Sequence, residues 1–350
     1  MNKHVLVARL DSLGDVLLAG PTVRAVAAGA RRVTLLCGRR GRAAAELLPG
    51  VDEIVEHTAP WIDPEPEPVE RAATLALVDD LSRRGIDQAL ILTSFHQSPL
   101  PLALLLRLAG VPVVAAVCED YPGSLLDVRH HVDADAHEVQ RGLSLAATLG
   151  YRLPAGDAAS LAVRPEVVAI AAGPLPAPAP YVVVHPGASV PARAWSPEAN
   201  AALVDALVAS GRRVVVTGGP GEESLTARVA GPPRPDVVDL GGRVDVAGLA
   251  GVLAGAEVVV APNTGPAHLA AAVGTPVVSL FAPTVPAAQW RPWGVPHRLL
   301  GDHGVACAGC RARICPVSGH PCLETVPVHD VVTALEALDR RRQPLAAGAA

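Results

Sequence analysis

Short apolar runs alternate with segments of helical periodicity along most of the chain. In the first half, five predominantly apolar runs have the length of strands, and apolar residues recur every three to four positions between them. Apolar strands that alternate with helices are typical of a parallel sheet covered on both faces. The predicted strands are His4–Arg9, Val33–Cys37, Glu53–Glu56, Gln88–Thr93 and Val111–Ala116, and the predicted helices are Asp15–Ala28, Val69–Arg84 and Pro99–Leu108.

A proline-rich stretch then interrupts this alternation. Five prolines lie between residues 165 and 180, which predicts a stiff linker. A second series follows, with strands predicted at Tyr181–His185, Arg213–Thr217, Val237–Leu240, Glu257–Ala261 and Pro276–Phe281. We therefore predict an α/β protein of two Rossmann-like doubly wound domains, residues 1–165 and 181–340, with a linker at 166–180 and a tail at 341–350. Ligands of such domains bind at the carboxyl ends of the strands, so we expect the domains to face each other across a binding cleft.

The composition narrows the class of protein. The 350 residues are 50% hydrophobic and carry a formal net charge of −5, which argues against a nucleic-acid partner. No apolar run reaches the roughly 18–20 residues of a membrane-spanning helix. The first apolar run is interrupted by Arg9, Asp11 and Asp15, which is unlike a signal peptide. We therefore expect a cytoplasmic protein.

The turn after the first predicted strand, Ser12-Leu13-Gly14-Asp15, has two interpretations. Ser12 or Asp15 can cap the helix that follows, with Gly14 supplying a tight backbone. Alternatively, Gly14 lets another molecule approach closely, and Asp15 at the edge of the cleft accepts a proton from a bound hydroxyl. Asp11, one turn earlier, is expected to matter much less.

Two turns of the second domain have the composition of anion sites. His185-Pro186-Gly187-Ala188-Ser189 offers backbone N–H groups, and Arg193 follows in the loop as a cation. The alternative is a solvated arginine before a helix capped by Ser196. The second turn, from Thr217 to Glu223, is rich in glycine but matches neither a P-loop nor a GxGxxG fingerprint. The negative charge of its Glu222 can interact with the dipole of the helix that follows, or its carboxylate can hold a ribose hydroxyl.

The segment Pro262-Asn263-Thr264-Gly265-Pro266-Ala267-His268 carries the most information. Asn263 is the predicted N-cap of a helix, and the backbone N–H groups of Thr264 and Gly265 open its first turn. The positive end of a helix dipole favours phosphate. With His268 one turn further on, the segment predicts a cradle for a diphosphate.

These four motifs, taken in order and at their spacing, resemble those of glycosyltransferase family 9, the ADP-heptose:lipopolysaccharide heptosyltransferases. The resemblance covers roughly residues 4–340 and implies the two-domain GT-B fold, with Asp15 as the general base. Arg193 stands where the family has a phosphate-binding lysine, and Asn263 stands where many members have aspartate. The donor-binding residues expected from the motifs and the resemblance are Ser189, Arg193, Gly218, Glu222, Asn263, Thr264, Gly265 and His268.

The resemblance also implies the reaction. A member of this family transfers a heptose from a nucleotide-diphosphate donor, ADP-heptose, to a glycan hydroxyl such as that of the lipopolysaccharide core, with inversion and without a metal. The expected partners are the nucleotide sugar and a glycan or glycolipid acceptor at the inner membrane surface. Two alternatives stay open: a GT-B nucleotide-sugar epimerase and a non-catalytic nucleotide-sugar-binding protein. Candidate acceptor-binding residues lie after predicted strands of the first domain: Ser12, Gly14, Arg40 and His96.

Two further motifs could hold metal ions. Cys307, Cys310, Cys315 and Cys322 have the spacing C-x2-C-x4-C-x6-C, which suits a structural zinc site. A redox-sensitive or disulfide-prone loop and plain packing of thiols are the other open interpretations. Asp133-Ala134-Asp135 is the one Asp-x-Asp motif that we considered as a metal site, and we interpret it as charge at the start of a helix.

Overall fold

The computed structural model describes residues 3–171 and 180–339, and the chain separates into two compact units between Ala162 and Val163. Each unit contains one parallel sheet of six strands among the described residues. The predicted α/β fold class is therefore confirmed. Residues 341–350, predicted as a tail, lie outside the described residues.

The first unit has the strand order β3-β2-β1-β4-β5-β6, which is the doubly wound Rossmann order. Its strands are β1 (His4–Arg9), β2 (Arg32–Cys37), β3 (Glu53–Glu56), β4 (Gln88–Ile91), β5 (Val113–Val117) and β6 (Val128–His130). Its helices are α1 (Leu13–Leu18), α2 (Gly20–Ala27), α3 (Arg42–Ala45), α4 (Arg71–Arg83), α5 (Leu100–Leu108) and α6 (Glu138–Thr148).

The second unit repeats this order as β12-β11-β10-β7-β8-β9. Its strands are β7 (Val182–Val184), β8 (Val214–Val216), β9 (Val237–Asp239), β10 (Val258–Pro262), β11 (Val277–Leu280) and β12 (His297–Leu300). Its helices are α7 (Pro165–Ala171), α8 (Pro197–Ala209), α9 (Glu223–Ala230), α10 (Val246–Ala254), α11 (Gly265–Ala272), α12 (Ala287–Trp290), α13 (Pro321–Glu324) and α14 (Val328–Leu338).

Each sheet is buried between helices, as its apolar strands require. In the first unit, Leu6 and Ile91 of neighbouring strands pack in one cluster with Leu81 and Leu106 of the covering helices. In the second unit, a separate cluster joins its central strands to helices α8 and α14. Within the residues that the structure describes, no helix is both long enough and apolar enough to cross a membrane.

Proline and edge position explain where the elements differ from those predicted. The predicted helix Asp15–Ala28 is divided into α1 and α2, because Pro21 lacks an N–H and its ring would clash with the carbonyl of Leu17. Strands β6 and β12 were not predicted. Both lie at sheet edges and are only half-buried, so neither has a continuous apolar run.

The predicted linker is partly helical. Its first residues belong to α7, Pro165–Ala171, because a proline at the first helical position leaves no hydrogen bond unmade. Helix α7 packs against α10 of the second unit. The remaining proline-rich part, residues 172–179, lies outside the described residues.

Candidate active site

Arg9, the last residue of β1, is a buried cation at the carboxyl edge of the first sheet. Its Nε lies 2.8 Å from Asp11 Oδ2, its Nη2 lies 2.9 Å from Asp15 Oδ1, and its Nη1 lies 2.8 Å from Glu138 Oε2. Nη2 also donates to the hydroxyl of Ser94, which follows β4. Burial of a guanidinium costs free energy unless the group is paired and hydrogen-bonded. Arg9 is accordingly paired with three carboxylates at one edge of the sheet.

The Asp15 carboxylate is held through both of its oxygens. Oδ1 accepts from Arg9, and Oδ2 accepts from the hydroxyl of Ser12 at 2.7 Å and from the Ser12 N–H at 3.3 Å. The Asp15 side chain is 19% exposed, whereas Asp11 is 9% and Glu138 is 2% exposed. Asp15 is therefore the carboxylate of this cluster that a bound molecule reaches most easily.

The negative charge of Asp15 acts on the buried carboxyl of Asp11. Burial raises the pKa of Asp11 to about 6, and the negative charges of Asp15 and Glu138 add to the effect, while Arg9 and a hydrogen bond from Gln97 oppose it. Both carboxylates pair with the same guanidinium, and the expectation that Asp11 matters much less than Asp15 stays a prediction.

Sequence reasoning missed Arg9 and Glu138 as site residues. Arg9 was considered only as an interruption of an apolar run, and Glu138 lies more than a hundred residues away on α6. One signal was available: a charged residue at the end of an otherwise apolar strand must find a counter-charge when it is buried. The sequence does not say which acidic residue supplies it.

The predicted acceptor residues all lie at this same edge of the first sheet. Ser12 and Gly14 follow β1, exposed His96 follows β4, and exposed Arg40 lies in a 3₁₀ turn after β2. That turn packs against α1, since a Cβ placed on Gly41 would lie 2.5 Å from Val16. Strands β2, β1 and β4 are neighbours, so the structure brings the four candidates to adjacent loops. Their roles stay predictions.

In the second unit, Glu222 connects the two glycine-containing turns. Its Oε2 accepts from the N–H of Gly219 at 2.7 Å. A Cβ placed on Gly187 would lie 2.1 Å from Glu222 Oε1, and one placed on Gly218 would lie 3.1 Å from the Glu222 Cβ. The Glu222 side chain thus fills the space that the two glycines leave open between the ends of β7 and β8.

His185 joins the same two turns as a neutral side chain. It is buried at the end of β7, and its Nδ1 lies 3.0 Å from the hydroxyl of Thr217, which follows β8. Burial lowers the pKa of His185 to about 4, so the ring is uncharged at neutral pH. Its contribution is the relative placement of the turns. Ser189 lies exposed in the turn that His185 begins.

The helix that follows β10 begins one residue later than predicted. Helix α11 starts at Gly265, and its N-cap is Thr264, which corrects the assignment of Asn263 as N-cap. Asn263 is instead buried directly after the strand. The first N–H groups of a helix have no intrahelical partner, and helical side chains lean toward the N-terminus. Buried His268 is the fourth residue of α11. It therefore lies on the turn where the sequence predicts a phosphate cradle.

Arg193 ends a 3₁₀ turn that lies between β7 and α8. It is half-buried, and its Nε donates to the hydroxyl of buried Thr284 at 3.2 Å. Thr284 follows β11, which is the neighbour of β10 in the sheet. The guanidinium is thus tied to the carboxyl edge of the sheet that also carries the α11 turn.

The four cysteines of the predicted zinc motif line one small cavity, together with His320. Each is a free thiol. Among the described residues, however, no three His, Cys, Asp or Glu side chains form a group that could hold a metal ion. Burial raises the pKa of the Cys322 thiol to about 11, and the other three cysteines contribute to the shift.

The segment from Cys307 to Cys322, called the cysteine loop below, also contacts the turn that carries Arg193. The N–H of Ala192 donates to the carbonyl of Arg313 at 2.9 Å, and Nε2 of His320 lies 3.1 Å from the carbonyl of Ala192. On the other side, the N–H of Arg311 donates to the carbonyl of Thr284 at 3.0 Å. The loop therefore holds both the backbone beside Arg193 and the residue that receives its side chain.

The Asp-x-Asp motif does not start a helix. Asp133 and Asp135 lie in an exposed turn, and α6 begins at Glu138 with His137 as its cap, accepting from the N–H of Val139 at 3.2 Å. The two aspartates are solvated charges ahead of the helix.

Solved structures share this architecture along almost the whole chain. ADP-heptose lipopolysaccharide heptosyltransferase II of E. coli is 20% identical, has a TM-score of 0.74, and is matched over 96% of this chain and 98% of that chain. E. coli heptosyltransferase WaaC with ADP-2-deoxy-2-fluoro heptose is 23% identical, has a TM-score of 0.69, and is matched over 95% of this chain and 99% of that chain. The paired doubly wound units are thus those of the GT-B fold class.

Comparison of the sequence with protein-family models identifies the family. The family model of glycosyltransferase family 9 (heptosyltransferase) matches residues 74–320, which is more than half of the chain. The chain belongs to glycosyltransferase family 9. A lipopolysaccharide heptosyltransferase 3 of E. coli is 38% identical over 116 residues, which are 32% of this chain and 34% of that protein. The matched stretch thus spans about a third of that curated relative.

Proposed function

We propose that this chain transfers a heptose from ADP-heptose to a hydroxyl of a glycan, as an inverting glycosyltransferase. The observation that carries the proposal is the placement of two complementary sets of residues. An oriented carboxylate, Asp15, lies at the carboxyl edge of the first sheet, and Arg193, Glu222 and the α11 turn lie at that of the second. The names of the similar proteins, which are heptosyltransferases, support ADP-heptose as the donor.

In the proposed reaction, Asp15 takes the proton from the acceptor hydroxyl. The oxygen attacks the anomeric carbon of the heptose on the face opposite the diphosphate. The bond between that carbon and the diphosphate oxygen breaks, and ADP leaves with the electron pair. One displacement of this kind inverts the anomeric centre.

The donor side stabilises the charge that develops on the diphosphate. Arg193 supplies a cation, and the start of α11 supplies N–H groups and the positive end of its dipole. His268 contributes on the same turn, and Glu222 holds a ribose hydroxyl. Ser189, Gly218, Asn263, Thr264 and Gly265 complete the proposed donor site.

The proposed acceptor is the lipopolysaccharide core or a related glycolipid, bound in the cytoplasm at the inner membrane surface. The name of the similar curated protein supports this class of acceptor. Ser12, Gly14, Arg40 and His96 are the proposed contacts, because their loops adjoin the loop that carries Asp15.

A donor screen tests the proposed function. The melting temperature is measured with ADP-, GDP-, UDP- and dTDP-sugars, and a ligand at about 100 times its dissociation constant adds roughly 2.7 kcal/mol to the free energy of unfolding. ADP release and product anomers are then measured with ADP-heptose and a lipopolysaccharide core acceptor. Donor isomerisation without an acceptor would identify an epimerase, and donor binding without ADP release would identify a binding protein.

Turnover is expected to persist in EDTA, because protein groups stabilise the leaving diphosphate. ADP release is measured with and without EDTA, and the zinc content of the same samples is determined. Zinc at one equivalent, lost in a Cys310→Ser variant, would support the structural zinc prediction for the cysteine loop. Activity abolished by EDTA and restored by Mg²⁺ or Mn²⁺ would contradict the proposed chemistry and direct attention to Asp133 and Asp135.

A further inference from the structure

The Arg9 guanidinium is shared among three carboxylates. It forms ion pairs with Asp11, Asp15 and Glu138, all at 2.8–2.9 Å. Glu138 also contacts Arg141, whose Nε lies 3.2 Å from Glu138 Oε1. Three carboxylates therefore face two guanidiniums, and Asp15 does not receive the full charge of its own cation.

This balance matters for a general base. A carboxylate that is paired with an undivided cation has a lowered pKa and is a weak base. Neighbouring carboxylates act in the opposite direction, because they repel the charged form and draw the shared cation toward themselves. Asp11 illustrates this effect: burial is the main cause of its raised pKa, and the negative charges of Asp15 and Glu138 raise it further.

We propose that Arg9 positions the Asp15 carboxylate, and that Glu138 and Asp11 keep Asp15 basic by taking up part of the charge of Arg9. The inference rests on the proposed function, in which Asp15 accepts the proton of the acceptor. Arg9, Glu138 and Asp11 are positioning residues, since they act through Asp15.

The other polar and charged side chains around the Asp15 cluster come from its own turn, the loop after β4, helix α6 and the basic turn after β2. Ser12 donates to it from its own turn, and Ser94 and Gln97 bind Arg9 and Asp11 from the loop after β4. Helix α6 adds Arg141 beside Glu138. The basic turn packed against α1 adds three arginines, two of them exposed and the third paired with Glu46: Arg39, Arg40 and Arg42.

The test measures the pKa of Asp15 in two ways. The acid limb of the pH dependence of kcat/KM reports the base of the free enzyme. The carboxyl ¹³C resonance of Asp15 reports the same group without turnover, in a chain labelled at aspartate and assigned by its loss in Asp15→Asn. The variants are Glu138→Gln and Asp11→Asn, which each remove one negative charge at constant shape. Glu67→Gln, at an exposed position, is the matched control.

Glu138→Gln is expected to lower the pKa of Asp15 by about 0.5–2 units, since it removes a repelling charge and leaves more of Arg9 to Asp15. Asp11→Asn is expected to lower it by less, because burial raises the pKa of Asp11 to about 6 and its full negative charge is present only above that pH. The acid limb therefore moves to lower pH, and Arg9→Gln moves it to higher pH. A purely structural role would lower the melting temperature without moving either midpoint. Arg9→Lys, which keeps the charge, is expected to restore the wild-type limb more closely than Arg9→Gln.

Unchanged or raised Asp15 midpoints in folded Glu138→Gln and Asp11→Asn would overturn the inference. In Asp11→Asn, Arg9 and Arg141 both keep a carboxylate partner, so this variant is expected to fold. It provides the test if Glu138→Gln does not fold. The two failures are distinguishable. Full turnover in Asp15→Asn would defeat the proposed base, whereas an Asp15-dependent reaction with an unmoved carboxyl titration would defeat only the role of the neighbouring carboxylates.

Discussion

Asp15→Asn is expected to reduce turnover by about 10²–10⁴-fold, which is the usual contribution of a general base. The amide cannot take a proton at neutral pH. It can still accept from Arg9 through its oxygen, but its NH₂ group cannot accept from the N–H of Ser12, so we expect a loss of about 1 kcal/mol in stability. Donor affinity should stay at the wild-type value, because Asp15 acts only on the acceptor hydroxyl. Turnover, donor affinity and melting temperature are measured on the same preparation.

The control for this variant has to lie outside the Arg9 cluster. Asp79→Asn makes the same chemical change at an exposed position of α4 and should leave all three measurements unchanged. Near-full turnover in Asp15→Asn would show that Asp15 is only a helix cap. The same conclusion would follow if activity were lost solely because the protein melts at the assay temperature.

Most of the fold could be predicted because parallel strands buried on both faces have a distinctive sequence. The fully buried strand His4–Arg9 was predicted with the bounds that the structure has, and so was the edge strand Glu53–Glu56. Of the edge strands, β6 and β12 were not predicted, because Val128–His130 and His297–Leu300 are half-exposed, contain Arg and His, and have no apolar run of strand length. The order of the strands in each sheet follows from the topology of doubly wound folds rather than from local pattern.

The site was predictable only where its chemistry lies in a single turn. Ser12 and Asp15, or Thr264 and His268, are close in sequence, so their spacing carries the information. Arg9 and Glu138 meet through the fold, across the edge of a sheet, and no local pattern links them. The support of the Arg193 turn by His320 is of the same kind, because it depends on a loop more than a hundred residues away.

Arg193→Ala and His268→Ala are each expected to weaken the binding of ADP by about 10- to 150-fold, which corresponds to the roughly 1.5–3 kcal/mol of one charge-assisted contact. Arg193 Nε donates to the Thr284 hydroxyl, which places the guanidinium at the carboxyl edge of the second sheet, where the proposed donor site lies. Calorimetric titration with ADP measures the effect. Arg193→Lys is expected to lose less, because it keeps the charge but not the planar fork that binds phosphate through two contacts.

Matched controls separate a phosphate contact from a general effect of charge or stability. Arg228→Ala removes an exposed arginine of the same unit, and His329→Ala removes an exposed histidine, so both should bind ADP as the wild type does. Because His268 is buried, its variant is compared at temperatures well below its own melting point. Unchanged affinity in both folded Arg193→Ala and His268→Ala would mean that the diphosphate binds elsewhere, and the donor would then have to be sought at the edge of the first sheet.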